Sequence, residues 1–225
     1  MTYHGHNRVM HDWGPFFAVH AHRADATPTP PWRPFRELLD EPGRLAERVS
    51  AIQAYLAAGG GRPARRVAES VTQLGLVARL VSPTLAMAVS TGEFPALELD
   101  DVWWQPELGG TFPLSAHYRD GGSADALVDG PLWTLTSAFA GSDKVLSGNV
   151  ASAINGAATM IATARPDLAA RAHALADELL ATPRLRATSV RGPDGRFRRR
   201  SCCLIYLAAP TPSRAAVCGD CVLVR

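Results

Sequence analysis

The fold is decided by residues 145–164, VLSGNVASAINGAATMIATA, a long stretch of the chain without a charged residue. Its apolar residues recur at helical spacing on one face: Leu146, Val150, Ile154, Ala157 and Ile161. The stretch is long enough to cross a bilayer, but Asn149 and Asn155 near its middle would be costly in lipid. We therefore predict a buried central helix rather than a membrane span, with Ser142 or Asp143 as its N-cap.

A second feature of this helix is a row of small residues. Gly148, Ser152 and Gly156 follow one another at intervals of four and therefore share one face. Such a face lets a neighbouring backbone approach closely, so we expect another segment to pack there.

Further helices are predicted on both sides of the central one. Apolar stripes at helical spacing cover residues 42–58, 63–81, 131–140 and 166–183. Pro83 is expected to bend the second of these or to begin a third short helix. Shorter runs with strand character cover residues 15–22, 96–105 and 111–119, the last two joined by a hairpin-like link. The pattern predicts an α+β fold: a helix-dominated single domain with a small antiparallel sheet over residues 1–190, followed by a C-terminal segment over residues 191–225.

Composition excludes several classes of protein. The chain has 225 residues, of which 47% are hydrophobic and 20% are charged, and its net charge is +2. These values exclude a disordered or collagen-like chain, and they predict no polyanion-binding field and thus no nucleic-acid partner. The first ten residues lack the apolar run of a secretory signal. We therefore expect a cytoplasmic protein, in which thiols stay reduced.

The cysteines are the most informative chemical feature. All four lie within the last 24 residues: Cys202-Cys203, then fourteen residues, then Cys218-Gly-Asp-Cys221. Four thiolates are the ligand count of a structural zinc ion or of an iron–sulfur cluster. Zinc sites mostly use two Cys-x₂₋₄-Cys pairs, whereas neighbouring cysteines on a strand point to opposite faces. An adjacent pair can still serve one site if the backbone turns between the two cysteines. It suits a [2Fe–2S] cluster better than a single ion, because the cluster spreads its ligands over two irons. Zinc ligation and ordinary burial of the thiols remain the alternatives.

Three stretches resemble those of a known family. They are Ala78–Pro83 (ARLVSP), Val145–Ala153 (VLSGNVASA), and Arg199–Tyr206 (RRSCCLIY) together with Cys218–Cys221 (CGDC). In these the chain resembles the FhuF-type ferric-siderophore reductases, which carry an atypical [2Fe–2S] cluster on a C-terminal Cys-Cys-x₁₀-Cys-x-x-Cys motif. The gap between the two cysteine pairs is fourteen residues here rather than ten, which we interpret as a longer surface loop.

The resemblance has implications for fold and function. It implies a fold similar to the C-terminal region of siderophore synthetases, and a [2Fe–2S] cluster on Cys202, Cys203, Cys218 and Cys221. The implied activity is reduction of a ferric siderophore, of the hydroxamate type, in the cytoplasm, with no catalytic residue beyond the cluster. Electrons would come from an external donor such as a ferredoxin, since the sequence has no Gly-x-Gly-x-x-Gly motif for a bound nucleotide. The alternative function is a zinc-stapled, non-redox siderophore-binding or scaffold protein.

Other residues are candidates for the surroundings of the site. Four arginines precede the first cysteines and would either favour the reduced cluster or form a solvated strand edge: Arg196, Arg198, Arg199 and Arg200. The negative charge of Asp220 would disfavour the reduced cluster. Aromatic residues that would line a substrate site or belong to the sheet core are Trp103, Trp104, Phe112 and Tyr118. His20 and His22 share a face of a predicted strand and would contact substrate, metal or solvent.

Overall fold

The computed structural model describes residues 13–108, 111–192, 195–209 and 217–223. Its α-helices are α1 (Glu37–Asp40), α2 (Arg44–Ala58), α3 (Arg65–Thr91), α4 (Ala124–Leu127), α5 (Trp133–Ser137), α6 (Asp143–Ala164) and α7 (Ala169–Ala181). Its strands are β1 (His20–Ala21), β2 (Arg33–Pro34), β3 (Val102–Trp104), β4 (Leu114–Ala116), β5 (Ser189–Arg191) and β6 (Phe197–Arg199). The predicted helix-dominated α+β fold with a small sheet is confirmed.

The core is built on the two longest helices. The predicted central helix is α6, which packs along α3 on one side and α7 on another. Its apolar stripe is fully buried, as Ile154 and Ile161 illustrate, and it meets Leu80 and Leu85 of α3 in one hydrophobic cluster. Burial of these side chains removes apolar surface from water, which is the main force holding the helices together.

Both of these helices are long and apolar enough to cross a membrane by length and composition. In each, most of the apolar window is buried inside the protein, 72% for α3 and 61% for α6. The expectation of a buried central helix agrees with this packing.

The course of α3 differs from the sequence expectation. We predicted that Pro83 would bend the helix or start a new one; no new helix starts there, and α3 continues through Pro83 to Thr91. A proline removes a single backbone hydrogen bond from a helix interior. The residues on both sides, from Leu80 to Val89, are buried, and this packing holds the helix together across the missing bond.

The small sheet has the strand order β1-β4-β3-β2. Strands β3 and β4 form the predicted antiparallel pair, with Trp103 opposite Ser115. Strand β1 pairs with β4 in parallel, so the sheet is mixed rather than purely antiparallel. The strands are shorter than the sequence runs suggested, because Leu99–Asp101 forms a 3₁₀ turn just before β3.

The C-terminal segment begins with a separate hairpin. Strands β5 and β6 pair antiparallel, with Ser189 opposite Arg199, and the arginine-rich run before the cysteines supplies β6. Strand β6 lies against α6, and a 3₁₀ turn at Ile205–Ala208 lies against α3. The cysteine region is thus placed over both core helices.

Candidate metal centre

The backbone turns immediately after the adjacent cysteines. Leu204 has a φ of 66°, the left-handed conformation that a branched side chain rarely adopts. The turn leads from Cys203 into the 3₁₀ turn that contacts α3. Strained backbone of this kind concentrates at functional sites. The turn follows the cysteine pair, whereas we expected one between Cys202 and Cys203.

The second cysteine pair returns to the first. The sulfurs of Cys203 and Cys218 are 3.4 Å apart and share a hydrogen bond. This distance is well beyond the ~2.05 Å of a disulfide bond, and all four cysteines are free thiols. The shared proton lowers the pKa of Cys203 and raises that of Cys218. The structure therefore brings together residues that are fifteen positions apart in the chain.

The remaining two cysteines belong to the same group. Burial raises the pKa of Cys202, and the nearby sulfurs of Cys203 and Cys221 raise it further. The backbone N–H of Leu204 donates to the sulfur of Cys202 at 3.3 Å, and that of Leu223 donates to the sulfur of Cys221 at 3.3 Å. Such hydrogen bonds to sulfur are among the interactions that set the potential of an iron–sulfur cluster.

A buried arginine lies beside the cysteines. Arg199 is only 1% exposed, and its Nη2 donates to Oδ1 of Asn149 on α6 at 2.6 Å. Its positive charge adds to the lowering of the Cys203 pKa, and it opposes the larger effects that raise the pKa values of Cys202 and Cys218. A buried cation that favours thiolates is the expected companion of an anionic metal–thiolate group.

Asn149 links this arginine to the cysteine backbone. Its Nδ2 donates to the Oγ of Ser70 on α3 at 3.0 Å, and Ser70 in turn donates to the carbonyl of Cys203 at 2.7 Å. Asn149 and Ser70 are both buried. A continuous chain of hydrogen bonds thus runs from Arg199 through α6 and α3 to Cys203.

The small-residue face of α6 contacts the cysteine segment at Gly148 and Ser152, whereas a Cβ at Gly156 would meet nothing within 4 Å. Ser152 donates to Oδ2 of Asp220 at 2.7 Å, and Nδ2 of Asn155 donates to Oδ1 at 3.4 Å. A Cβ at Gly148 would overlap the hydroxyl of Ser201 and crowd the guanidinium of Arg199. Burial raises the pKa of Asp220, an effect that the Ser152 hydrogen bond and the Arg199 charge oppose.

Two observations bear on whether this arrangement fits a metal group. Within the described residues, no three His, Cys, Asp or Glu side chains form a ready-made metal site. In the same part of the chain, Nε and Nη1 of Arg199 and Oγ of Ser201 are buried and have no hydrogen-bond partner. Buried, unpartnered donors are rare because they are costly. Such donors, whose arginine acts on the thiols of Cys202, Cys203 and Cys218, fit a bound anionic group.

The other predicted site residues lie elsewhere. Trp104, Phe112 and Tyr118 are buried in the hydrophobic core, which was the second of the two roles considered for them. Trp103 stacks on His22 with ring centroids 3.7 Å apart, and Nδ1 of His22 is 2.8 Å from Oγ of Ser115. His20 is exposed and makes an edge contact with Trp32.

Two residues of the site were missed at the sequence level. Ser70 was read as part of a helix without a role, and Asn149 was counted only as a polar residue that argues against a membrane span. A polar residue on the buried face of a helix must find a partner, so Asn149 carried a usable signal. Ser70 carried none, because serine is common on helix surfaces.

No protein-family model and no curated protein matches the chain.

Proposed function

We propose that the chain holds a [2Fe–2S] cluster on Cys202, Cys203, Cys218 and Cys221 and passes one electron to siderophore-bound Fe(III). The observation that carries the proposal is the 3.4 Å contact between the sulfurs of Cys203 and Cys218 beside the buried, partly unpartnered guanidinium of Arg199. The thiol of Cys202 interacts electrostatically with those of Cys203 and Cys221. The adjacent cysteine pair favours a cluster over a single zinc ion, because a [2Fe–2S] cluster spreads its four ligands over two irons. The proposed location is the cytoplasm.

The chain's own residues would stabilise the charge of the site. Two Fe³⁺, two sulfides and four thiolates sum to a net charge of −2, and when bound the cluster supplies one-electron transfer. Arg199 offsets part of this charge from a position closed to water. The backbone N–H groups of Leu204 and Leu223 already point at two of the four sulfurs.

The proposed substrate explains why no acid or base is needed. A siderophore holds Fe³⁺ through hard oxygen donors and holds Fe²⁺ far more weakly, so a single electron releases the metal. The electron is lost by the reduced protein and gained by the siderophore's iron, with no bond made to the protein. An external carrier of the ferredoxin class would then restore the reduced protein.

The spectrum of the protein tests this proposal. The chain is purified without oxygen, and its visible and EPR spectra are recorded before and after dithionite. We expect a red-brown protein whose visible bands bleach on reduction and return when a ferric trihydroxamate is added, with Fe(II) appearing in a chelator assay. A colourless protein that holds one zinc per chain would overturn the proposal and leave the zinc-stapled alternative.

Ligand identity is tested one cysteine at a time. Each of Cys202, Cys203, Cys218 and Cys221 is replaced by serine, and iron and sulfide are counted per chain. We expect each replacement to lose or distort the cluster, because a neutral hydroxyl is a poor ligand for iron. Full iron and sulfide content in any one variant would show that the replaced cysteine is not a ligand.

A further inference from the structure

A cavity on the opposite side of α3 from Ser70 is not used by the proposed metal centre. It lies between α2, α3 and the segment that leads into β4, and its volume is about 320 Å³, near the lower end of the range for small-molecule sites. Most of its wall is apolar or aromatic: Phe16, Ile52, Leu56, Val71, Leu76 and Phe112. Gly75 also lines it, and a Cβ placed there would meet nothing within 4 Å.

Two arginines stand in this apolar wall. Arg48 of α2 and Arg79 of α3 both line the cavity. Their guanidinium carbons each lie 5.6 Å from the centroid of the Phe112 ring. Two positive charges are therefore held near one aromatic ring in a partly enclosed space.

Neither charge has an acidic partner among the residues that the structure describes. Arg79 is 2% exposed and donates to the backbone carbonyls of Phe112, Phe16 and Ala18, which are neutral groups. Arg48 is half-buried, and its contacts are with the faces of Trp104 and Phe112. Burial lowers the pKa of Arg48 and lowers that of Arg79 to about 10.

Uncompensated buried charge destabilises a protein unless something pairs with it. Planar guanidinium groups recognise carboxylates with two parallel hydrogen bonds. An apolar wall beside them excludes water and suits a flat, apolar body. A bound organic acid would pair its carboxylate with the two guanidinium groups and place its apolar body against the apolar wall.

We propose that this cavity binds a small organic anion, with its carboxylate facing Arg48 and Arg79 and its apolar body against Phe112, Ile52 and Leu56. The inference goes beyond the metal centre and does not depend on it. Arg48 and Arg79 make the site prefer anions. The space beside Gly75 accommodates the apolar body of the ligand.

Calorimetry on the full chain with 2-naphthoate as the probe tests the proposal. We expect saturable binding with a Kd below about 1 mM, and no binding of 2-naphthamide, which has nearly the same shape but no charge. Arg48→Gln should weaken naphthoate binding by at least about tenfold. Arg66→Gln is the matched control, because Arg66 is an exposed arginine of α3 that does not line the cavity.

A second variant tests the location without touching a charge. Gly75→Leu fills the empty space beside the helix and should abolish naphthoate binding, while the circular dichroism of the chain stays unchanged. Equal binding of naphthamide and naphthoate, unchanged binding in Arg48→Gln or Gly75→Leu, or no naphthoate binding up to about 5 mM would each overturn the proposal. All of these readouts are independent of iron content, so failure of the metal-centre proposal would leave them interpretable.

Discussion

The four arginines before the cysteines have different roles once their side chains are placed. Arg196 and Arg200 are exposed, whereas Arg199 is buried against α6. The sequence contained a signal for this difference, because alternate residues of a strand share a face and Phe197 is apolar. Phe197 and Arg199 therefore both face the protein, as the structure has them. Their residue type alone does not distinguish the buried arginine from the exposed ones.

Removing the charge of Arg199 should lower the reduction potential of the proposed cluster. A unit charge about 8 Å away contributes about 2 kcal/mol at an effective dielectric constant of about 20. For a one-electron couple this is about 90 mV, at about 59 mV per tenfold change in equilibrium. We expect Arg199→Gln to shift the potential downward by an amount of this order in a redox titration followed by EPR.

Arg200→Gln is the matched control for this shift. Arg200 neighbours Arg199 in the chain but is exposed, so solvent screens its charge. Its variant should change the potential little. Equal shifts in both variants would show that burial of Arg199 is not what gives it its effect.

The carboxylate of Asp220 should act with the opposite sign. It accepts hydrogen bonds from Ser152 and Asn155 close to the thiols of Cys218 and Cys221. Asp220→Asn removes a negative charge and keeps an oxygen for Ser152, so we expect the potential to rise. A fall or no change in the same titration would indicate that the carboxylate is protonated or too distant to matter.

At the scale of elements, α2 and α6 were predicted well, whereas the end of α3 and the short helices were not. The bounds of α2 and α6 follow from apolar periodicity, since many residues contribute to the pattern. The region predicted as one helix over residues 131–140 instead holds the end of a π-helical turn at Val128–Leu132 and then α5, which ends at Ser137. Gly130 has non-helical backbone angles inside that turn. The spacing of apolar residues does not predict such a local change in backbone angle. The place where the cysteine pairs meet was also unpredictable in detail, because it depends on contacts between distant segments.

Packing of the cysteine segment against the loop before α3 depends on a glycine. A Cβ at Gly61 would overlap the carbonyl oxygen of Ala208, which is backbone and has little freedom to move. Gly61→Ala should displace the 3₁₀ turn that follows Cys203 and reduce the iron bound per chain. Iron and sulfide analysis of the purified variant measures this effect.

Gly156→Ala is the control for that change. A Cβ at Gly156 would meet nothing within 4 Å, and alanine is favoured over glycine in a helix by about 1 kcal/mol. We expect full iron content and a slightly higher melting temperature. Loss of iron in both variants would show that iron content follows general stability rather than the contact at Gly61.

At the scale of the whole molecule, the cysteine segment is attached to a core that is complete without it. The main hydrophobic cluster joins α3, α6, α7 and the mixed sheet, while Phe197, Cys203 and Cys221 lie outside it. Metal that binds the folded chain stabilises it by mass action, and here the gain would be local to the C-terminal segment.

Removal of the metal should therefore lower the melting temperature without unfolding the helices. After anaerobic chelation, we expect the far-ultraviolet circular dichroism at 20 °C, about room temperature, to be unchanged and the thermal transition to move down by several degrees. Protease cleavage should appear first in the segment after Arg200. Loss of helical signal on chelation would show that the core depends on the metal.

The hydrogen-bond chain from Arg199 through Asn149 and Ser70 to Cys203 has a consequence for the speed of the proposed electron transfer. These dipoles are buried and already bonded to one another, so few of them can reorient when a charge arrives. A preorganised polar environment of this kind costs little energy at the moment of reaction. Because α6 and α3 hold these groups in fixed positions, the reorganisation energy of the proposed site would be small.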